Sequence, residues 1–346
     1  DLGRSGGRQF VDALLDSEPN QLGDAFRGTL YQQTRGHPLF TVELLRGMEE
    51  RGDLVQDGED RWVEGPSLDW ETLPTRVEAV IAERIGRLPE RLREALTVAS
   101  IEGETFTAEV VAQVRAADER EVVGQLSGEL GKRYRLVSGQ GLLQMGGQRL
   151  SQYRFRHILF QKYLYSSLDE VERVHLHEQV GTALEGLYGA QKIATVAAIA
   201  PMAPQLARHF EEARIAEKAI HYLHQAGERA LQLFAYQEAI THLTRALELL
   251  LDLPDSPERA QHELGLQLAL GVAWMTTAAP APEVEKAYTR ARELCRQMGE
   301  TSQLCRVLGG LSVFYFVRAE HQRARELAEE ALSLAQSAND PLLQAQ

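Results

Sequence analysis

A four-residue motif recurs near the C-terminus at almost constant spacing, and it constrains the fold more than any other feature. Ala246-Leu247-Glu248-Leu249, Ala291-Arg292-Glu293-Leu294 and Ala331-Leu332-Ser333-Leu334 align with offsets of 45 and 40 residues. The same offsets superpose Ala239, Val284 and Ala324. A unit of this length cannot bury its apolar face alone and must stack on its neighbours. Small residues at fixed helical positions let paired helices approach closely. Ser256-Pro257, Ala281-Pro282 and Asp340-Pro341 supply N-cap and N1 residues for successive helices. Residues 204–346 are therefore expected to form an α-solenoid, with an irregular helical bundle as the alternative. Asp340-Pro341 opens one more helix that is cut after a few residues, so the chain is expected to stop mid-repeat, as a piece of a longer protein.

Upstream, helical periodicity dominates. Leu22, Phe26 and Leu30 share one face of a helix over 21–34, and Arg35-Gly36-His37-Pro38 interrupts it. A second helix follows with Pro38 near N1 and stops at Gly52. Residues 53–74 read as a hairpin or loop, with Leu54-Val55 and Arg61-Trp62-Val63 as strands around Asp57-Gly58. From Thr75 a stripe of Val77, Val80, Ile81, Ile85 and Leu88 leads to a helix opened by Pro89. Helices over 107–114 and 118–130 precede two strands, 142–145 and 152–155, about Gly146-Gly147. That order is the order of a winged helix. Helices resume near His157, Asp169 and Glu172 have capping-box spacing, and 191–203 reads as a linker. The domains expected are 1–52, 75–190 and 204–346.

Several functions lack their residues. No G-x-x-x-x-G-K-[S/T] loop occurs among the 346 residues. Gly128-Glu129-Leu130-Gly131-Lys132-Arg133 has the wrong spacing, and the run from Gly139 fails as a dinucleotide fingerprint at its third glycine. His177-Glu178-Gln179-Val180-Gly181 ends in glycine where a zinc ligand would stand. The pair His221 and His224 has no third ligand, so no metal and no catalytic residue is assigned. Two cysteines, Cys295 and Cys305, give no disulfide framework or CxxC site. With no apolar run of 18 residues and no signal-peptide profile, a cytoplasmic location without membrane partners is expected.

Three stretches together are similar to a known arrangement. Thr34-Arg35-Gly36-His37-Pro38-Leu39-Phe40 with Glu43-Leu44-Leu45-Arg46 resembles the G-x-P motif and lid helix of STAND ATPases, the signal-transduction ATPases that include apoptosis and plant-resistance switches. Leu73-Pro74-Thr75-Arg76-Val77 through Thr105-Phe106 resembles the helical and winged-helix segment of their bacterial members. Tyr153-Arg154-Phe155-Arg156-His157-Ile158-Leu159-Phe160-Gln161 resembles the junction before their repeats, and the repeats resemble tetratricopeptide repeats of the longer kind. The resemblance implies a mainly α fold: lid helices and a winged-helix domain, then a tetratricopeptide-like α-solenoid. It implies that Pro38 packs on an adenine. It also places Arg156 in the column of the M-H-D histidine, which reaches the ADP phosphate, and His157 in that of the aspartate. Arginine carries a permanent charge suited to phosphate. On this resemblance the segment itself is not an enzyme and holds no cofactor. ATP or ADP with Mg belongs to an upstream ATPase domain, the first expected partner. An inducer or a protein on the repeats is the second. Similar bacterial proteins also carry a nucleotide cyclase, kinase or DNA-binding output domain.

Charge supplies one anomaly. The chain carries −13 overall, with 37 Lys and Arg against 50 Asp and Glu, which disfavours whole-molecule attraction to nucleic acid. Yet Lys132, Arg133, Arg135, Arg149, Arg154, Arg156 and Lys162 face only Glu129 between residues 128 and 164. This basic segment is open to three readings: DNA binding by a wing, an intramolecular dock, or a solvated surface. The acids of Asp118-Glu119-Arg120-Glu121, opening the candidate recognition helix, argue against DNA. A free-standing repeat scaffold or a winged-helix transcription regulator remains the alternative to a sensing segment.

Overall fold

The computed structural model describes residues 4–66, 68, 70, 75–145, 148–189, 202–278 and 281–337. The hairpin tip Gly146-Gly147, linker residues 191–201, Leu73-Pro74 and Asp340-Pro341 lie outside the described residues. The chain is mainly helical and divides into two units, Asp1–Leu187 and Tyr188–Gln346.

In the N-terminal unit, helices α1 (Arg4–Leu15), α2 (Asp24–Thr34) and α3 (Pro38–Arg51) close on Val11, Leu15, Phe26, Leu30, Leu44 and Met48. Successive left-handed residues, Arg35 and Gly36, turn α2 into α3. A Cβ on Gly36 would lie 2.3 Å from the Gly7 carbonyl oxygen, so this crossing of α1 over the turn needs glycine. Pro38 sits at the start of α3, where no backbone donor is required. Strands β1 (Leu54–Gln56) and β2 (Trp62–Glu64) pair antiparallel, and Asp57 caps their turn by accepting from the Glu59 and Arg61 amides. The strands thus fall within a residue of the expected ones.

Next come α4 (Thr75–Gly86), α5 (Glu90–Glu102), β3 (Thr105–Thr107), α6 (Ala108–Val114) and α7 (Glu119–Gly124). Helix α7 runs into a π-helical stretch, Gln125–Arg133, then β4 (Val137–Met145) and β5 (Gln148–Phe155). The sheet order is β3-β5-β4, all antiparallel. Three features depart from the sequence expectation. Strands β4 and β5 start at Val137 and Gln148, five and four residues before the expected 142 and 152. Strand β3 was not expected; it is only three residues long, and buried Glu102 fixes it by accepting from the Thr107 amide and hydroxyl. The helix expected over 118–130 widens into π geometry and reaches Arg133, where the Tyr134 amide bonds back five residues to Glu129. Helices α8 (Ile158–Ser166) and α9 (Glu170–Gly189) complete the unit. The capping box forms reciprocally: the Asp169 amide donates to Glu172 at 3.1 Å, and the Glu172 amide to Asp169 at 2.8 Å.

The C-terminal unit contains α10 (Ala203–Glu212), α11 (Ala216–Gln232), α12 (Tyr236–Leu250), α13 (Pro257–Ala278), α14 (Pro282–Met298), α15 (Thr301–Val317) and α16 (His321–Ser337). Each packs on the next, and α13 also touches α11 and α15, as in a stacked two-layer array. Ala239, Val284, Ala246 and Ala291 are fully buried, which is why the spacing of small residues was readable. Ser256 caps α13 by accepting from the Arg259 amide. Four turns share one device: a left-handed residue (Arg214, Phe234, Gly299, Ala319) followed by an amide that bonds back five residues.

Glycine also sets the helix spacing. Tyr288 on α14 lies between Gly271 of α13 and Gly310 of α15, where an added Cβ would come within 2.7 and 2.6 Å of its ring. Gly310→Ala is expected to lower stability by about 1–2 kcal/mol, since crowding the ring outweighs the gain in helix propensity. Its neighbour Gly309 has open space around it, so Gly309→Ala should raise stability by up to about 1 kcal/mol. Thermal denaturation of both variants checks the opposite signs.

Candidate functional site

Two helix starts, far apart in sequence, meet in the N-terminal unit. His37 is the N-cap residue of α3, His157 that of α8, and neither imidazole caps its own helix. The rings pack instead. His157 stands edge-on to His37 and to Phe40, each with ring centroids 5.5 Å apart, and Phe160 approaches Phe40 at 6.1 Å. Arg84 of α4 lies over the Phe160 ring at 5.0 Å and donates to the Tyr134 carbonyl.

The imidazoles are held neutral. Burial first, then the neighbouring His37 and the Arg84 charge, depress His157 to about 4, against a weaker opposing bond with the Thr34 backbone. Burial and Arg84 lower His37 as well. Both Nδ1 atoms are buried without a hydrogen-bond partner. Beside the rings, one oxygen of Glu104 accepts from Arg35 and from Arg154, each at 2.6 Å. This carboxylate ties the turn before α3 to β5.

The three residues singled out from sequence lie at this junction or along the chain beside it. His157 is within it; Pro38 is exposed at the start of α3; Arg156 is exposed, with Nε donating to the Val137 carbonyl at 3.2 Å. Of the basic segment, Lys132, Arg133, Arg135 and Arg149 are exposed, and Arg133 lies over Tyr134. Arg154 is engaged with Glu104, and Lys162 donates to the Trp70 carbonyl at 3.0 Å. Sequence reasoning did not find Arg84, Glu104 or Arg35 as partners. His37 and Phe40 stood inside a quoted motif but carried no assigned role.

Among the described residues, no group of three or more His, Cys, Asp or Glu side chains is placed to hold a metal ion. Nor is any described helix long and apolar enough to cross a membrane. In the C-terminal unit, clefts of about 270 and 820 Å³ flank the first turn of α13 and share Ser256 and Arg259.

No family model matches the chain. It is 27% identical over 197 residues to an uncharacterized protein of Rhizobium meliloti (strain 1021), covering 56% of this chain and 18% of that protein. The chain therefore spans about a fifth of the length of that curated relative. A solved structure from Pyrococcus horikoshii, a Signal Transduction ATPase with Numerous Domains with a tetratricopeptide repeat sensor, aligns at a TM-score of 0.32 and 13% identity. That alignment covers 99% of this chain and 55% of the other.

The junction has a pH consequence. Unfolded histidine binds protons near pH 6.5, whereas folded His157 resists them until about pH 4. The stability it contributes is whole above pH 6.5 and is lost as pH falls towards 4. Between pH 7.5 and 5 the loss is about 2 kcal/mol from His157 alone. Urea denaturation at the two pH values measures it, and His157→Phe should remove most of that dependence.

Proposed function

We propose that the chain is the regulatory, partner-sensing segment of a STAND-type signalling ATPase. Its parts would be lid helices α1–α3, a winged-helix domain and tetratricopeptide-like repeats. The observation that carries this reading is the meeting of the G-x-P turn with the Arg156-His157 turn at one junction. The two stretches resemble the nucleotide-facing motifs of such ATPases, and their convergence is what a shared nucleotide contact requires. The order α5, β3, α6, α7, β4, β5 and the sheet order β3-β5-β4 support the winged-helix assignment. The stacked pairs α11 to α16 support the repeat assignment.

In this reading an upstream domain binds ATP or ADP with Mg. Pro38 lies against the adenine, and Arg156 supplies charge and donors to the phosphates. His157 stays neutral and shapes the pocket wall. The repeats bind an inducer or protein, and the winged helix holds the ADP state until that happens. The exposed run Lys132, Arg133 and Arg135 favours a second reading, a DNA-binding regulator. Glu119 and Glu121 in the first turn of α7 oppose it, because they would face phosphate.

With no phosphate loop in its 346 residues, the chain alone should not bind ATP or ADP with low-micromolar affinity. Calorimetric titration checks this. In a full-length protein with its ATPase domain, Arg156→Ala should weaken ADP retention about tenfold, read as faster release of a labelled nucleotide; an unchanged rate removes Arg156 from the site.

Duplex DNA should bind weakly, without sequence preference, and lose that binding between low and moderate salt. Nanomolar, sequence-selective binding at physiological salt would favour the regulator reading instead.

A further inference from the structure

A cleft of about 260 Å³ opens in the N-terminal helical cluster, between the end of α1, one face of α3 and strand β2. It shares no lining residue with the His37–His157 junction. Its volume falls just below the usual range of drug-sized sites, about 300–1,000 Å³, so it suits only a small ligand. Val42, Leu45 and the Trp62 ring give it apolar walls, while Glu18, Glu49 and Arg46 supply charge.

The carboxylates are unequal in their partners. Glu18 accepts from the Trp62 indole at 2.6 Å, which orients both the ring and the carboxylate. The Glu49 carboxylate has no hydrogen bond or ion pair among the described residues, and Arg46 turns instead to Glu43 at 3.5 Å. Burial and the like charge of Glu18 push the Glu49 carboxyl above its usual range, against the pull of Arg46. The cleft therefore joins an apolar wall to negative charge that its own side chains leave undercompensated.

We propose that this cleft binds an organic ammonium ion on an aromatic or branched apolar body, held by Glu49 and Glu18 against the Trp62 ring. Each part of such a ligand answers one part of the cleft. The ammonium gives Glu49 the partner it lacks and relieves its repulsion from Glu18. The apolar body covers Val42, Leu45 and the Trp62 ring. A bare divalent cation fits poorly, because two carboxylates fall short of the oxygen shell that Mg²⁺ or Ca²⁺ takes. An anion of the same shape would meet net negative charge.

The test uses three ligands of one shape and different charge: phenethylamine, phenethyl alcohol and hydrocinnamate. Each is titrated calorimetrically into the full chain at physiological ionic strength. Phenethylamine should bind saturably and about tenfold tighter than the alcohol, with hydrocinnamate weakest. Glu49→Gln, at an exposed position, should lower amine affinity about fivefold and leave alcohol affinity unchanged. Glu217→Gln in the C-terminal unit should change neither. Equal binding of amine and alcohol overturns the proposal, as does an unchanged ratio in Glu49→Gln. Tighter hydrocinnamate would assign the cleft to Arg46 and also overturn it. If none of the three binds saturably, the cleft is not a site of this kind. ATP-binding results do not bear on any of these outcomes.

Discussion

The packing of His37 and Phe40 against His157 and Phe160 is the constraint that brings the turn before α3 to the turn before α8. It joins the start of α3 to the start of α8, while the body of α8 packs on α5, α2 and α4. Rings at 5–6 Å in edge-on arrangement gain from their quadrupoles as well as from area. The turn that presents His37 exists only because Arg35 and Gly36 are left-handed and Gly7 allows α1 to cross close by. Everything the junction does, structural or functional, is bounded by that crossing.

Much of the architecture was legible because it rests on local rules. Pro38 and Pro282 announce helix starts through a missing donor, and Asp169 with Glu172 forms the reciprocal cap that its spacing implies. The repeat offsets could be read because Ala239, Val284, Ala246 and Ala291 are points where one helix presses on the next. What stayed hidden is non-local. Strand β3 is three residues held by Glu102 and by pairing with β5, and Thr105-Phe106-Thr107 has too little length to show a period. The π-helical stretch has the composition of an ordinary helix; its register is set by neighbours such as Tyr153, whose hydroxyl meets Ser127 at 2.7 Å.

The candidate site divides along the same line. Pro38, Arg156 and His157 were reachable because they stand in short motifs. Glu104 was not, since nothing adjacent in sequence says that one carboxylate oxygen will receive both Arg35 and Arg154. The basic segment likewise reads as a single patch in sequence. In space Arg154 and Lys162 are engaged by protein acceptors, Arg156 gives its Nε to the Val137 carbonyl yet stays exposed, and Lys132, Arg133, Arg135 and Arg149 face solvent. A charge count therefore overstated what a partner would meet.

The electrostatics of the junction follow from this arrangement. Arg84 and Arg35 both act on it, and Arg35 is in turn paired with Glu104. Partly buried pairs of this geometry are stronger than exposed ones but do not cancel the field of a second guanidinium. Positive surroundings and burial act in the same direction on His157, which is why its imidazole resists a proton so far below its usual range.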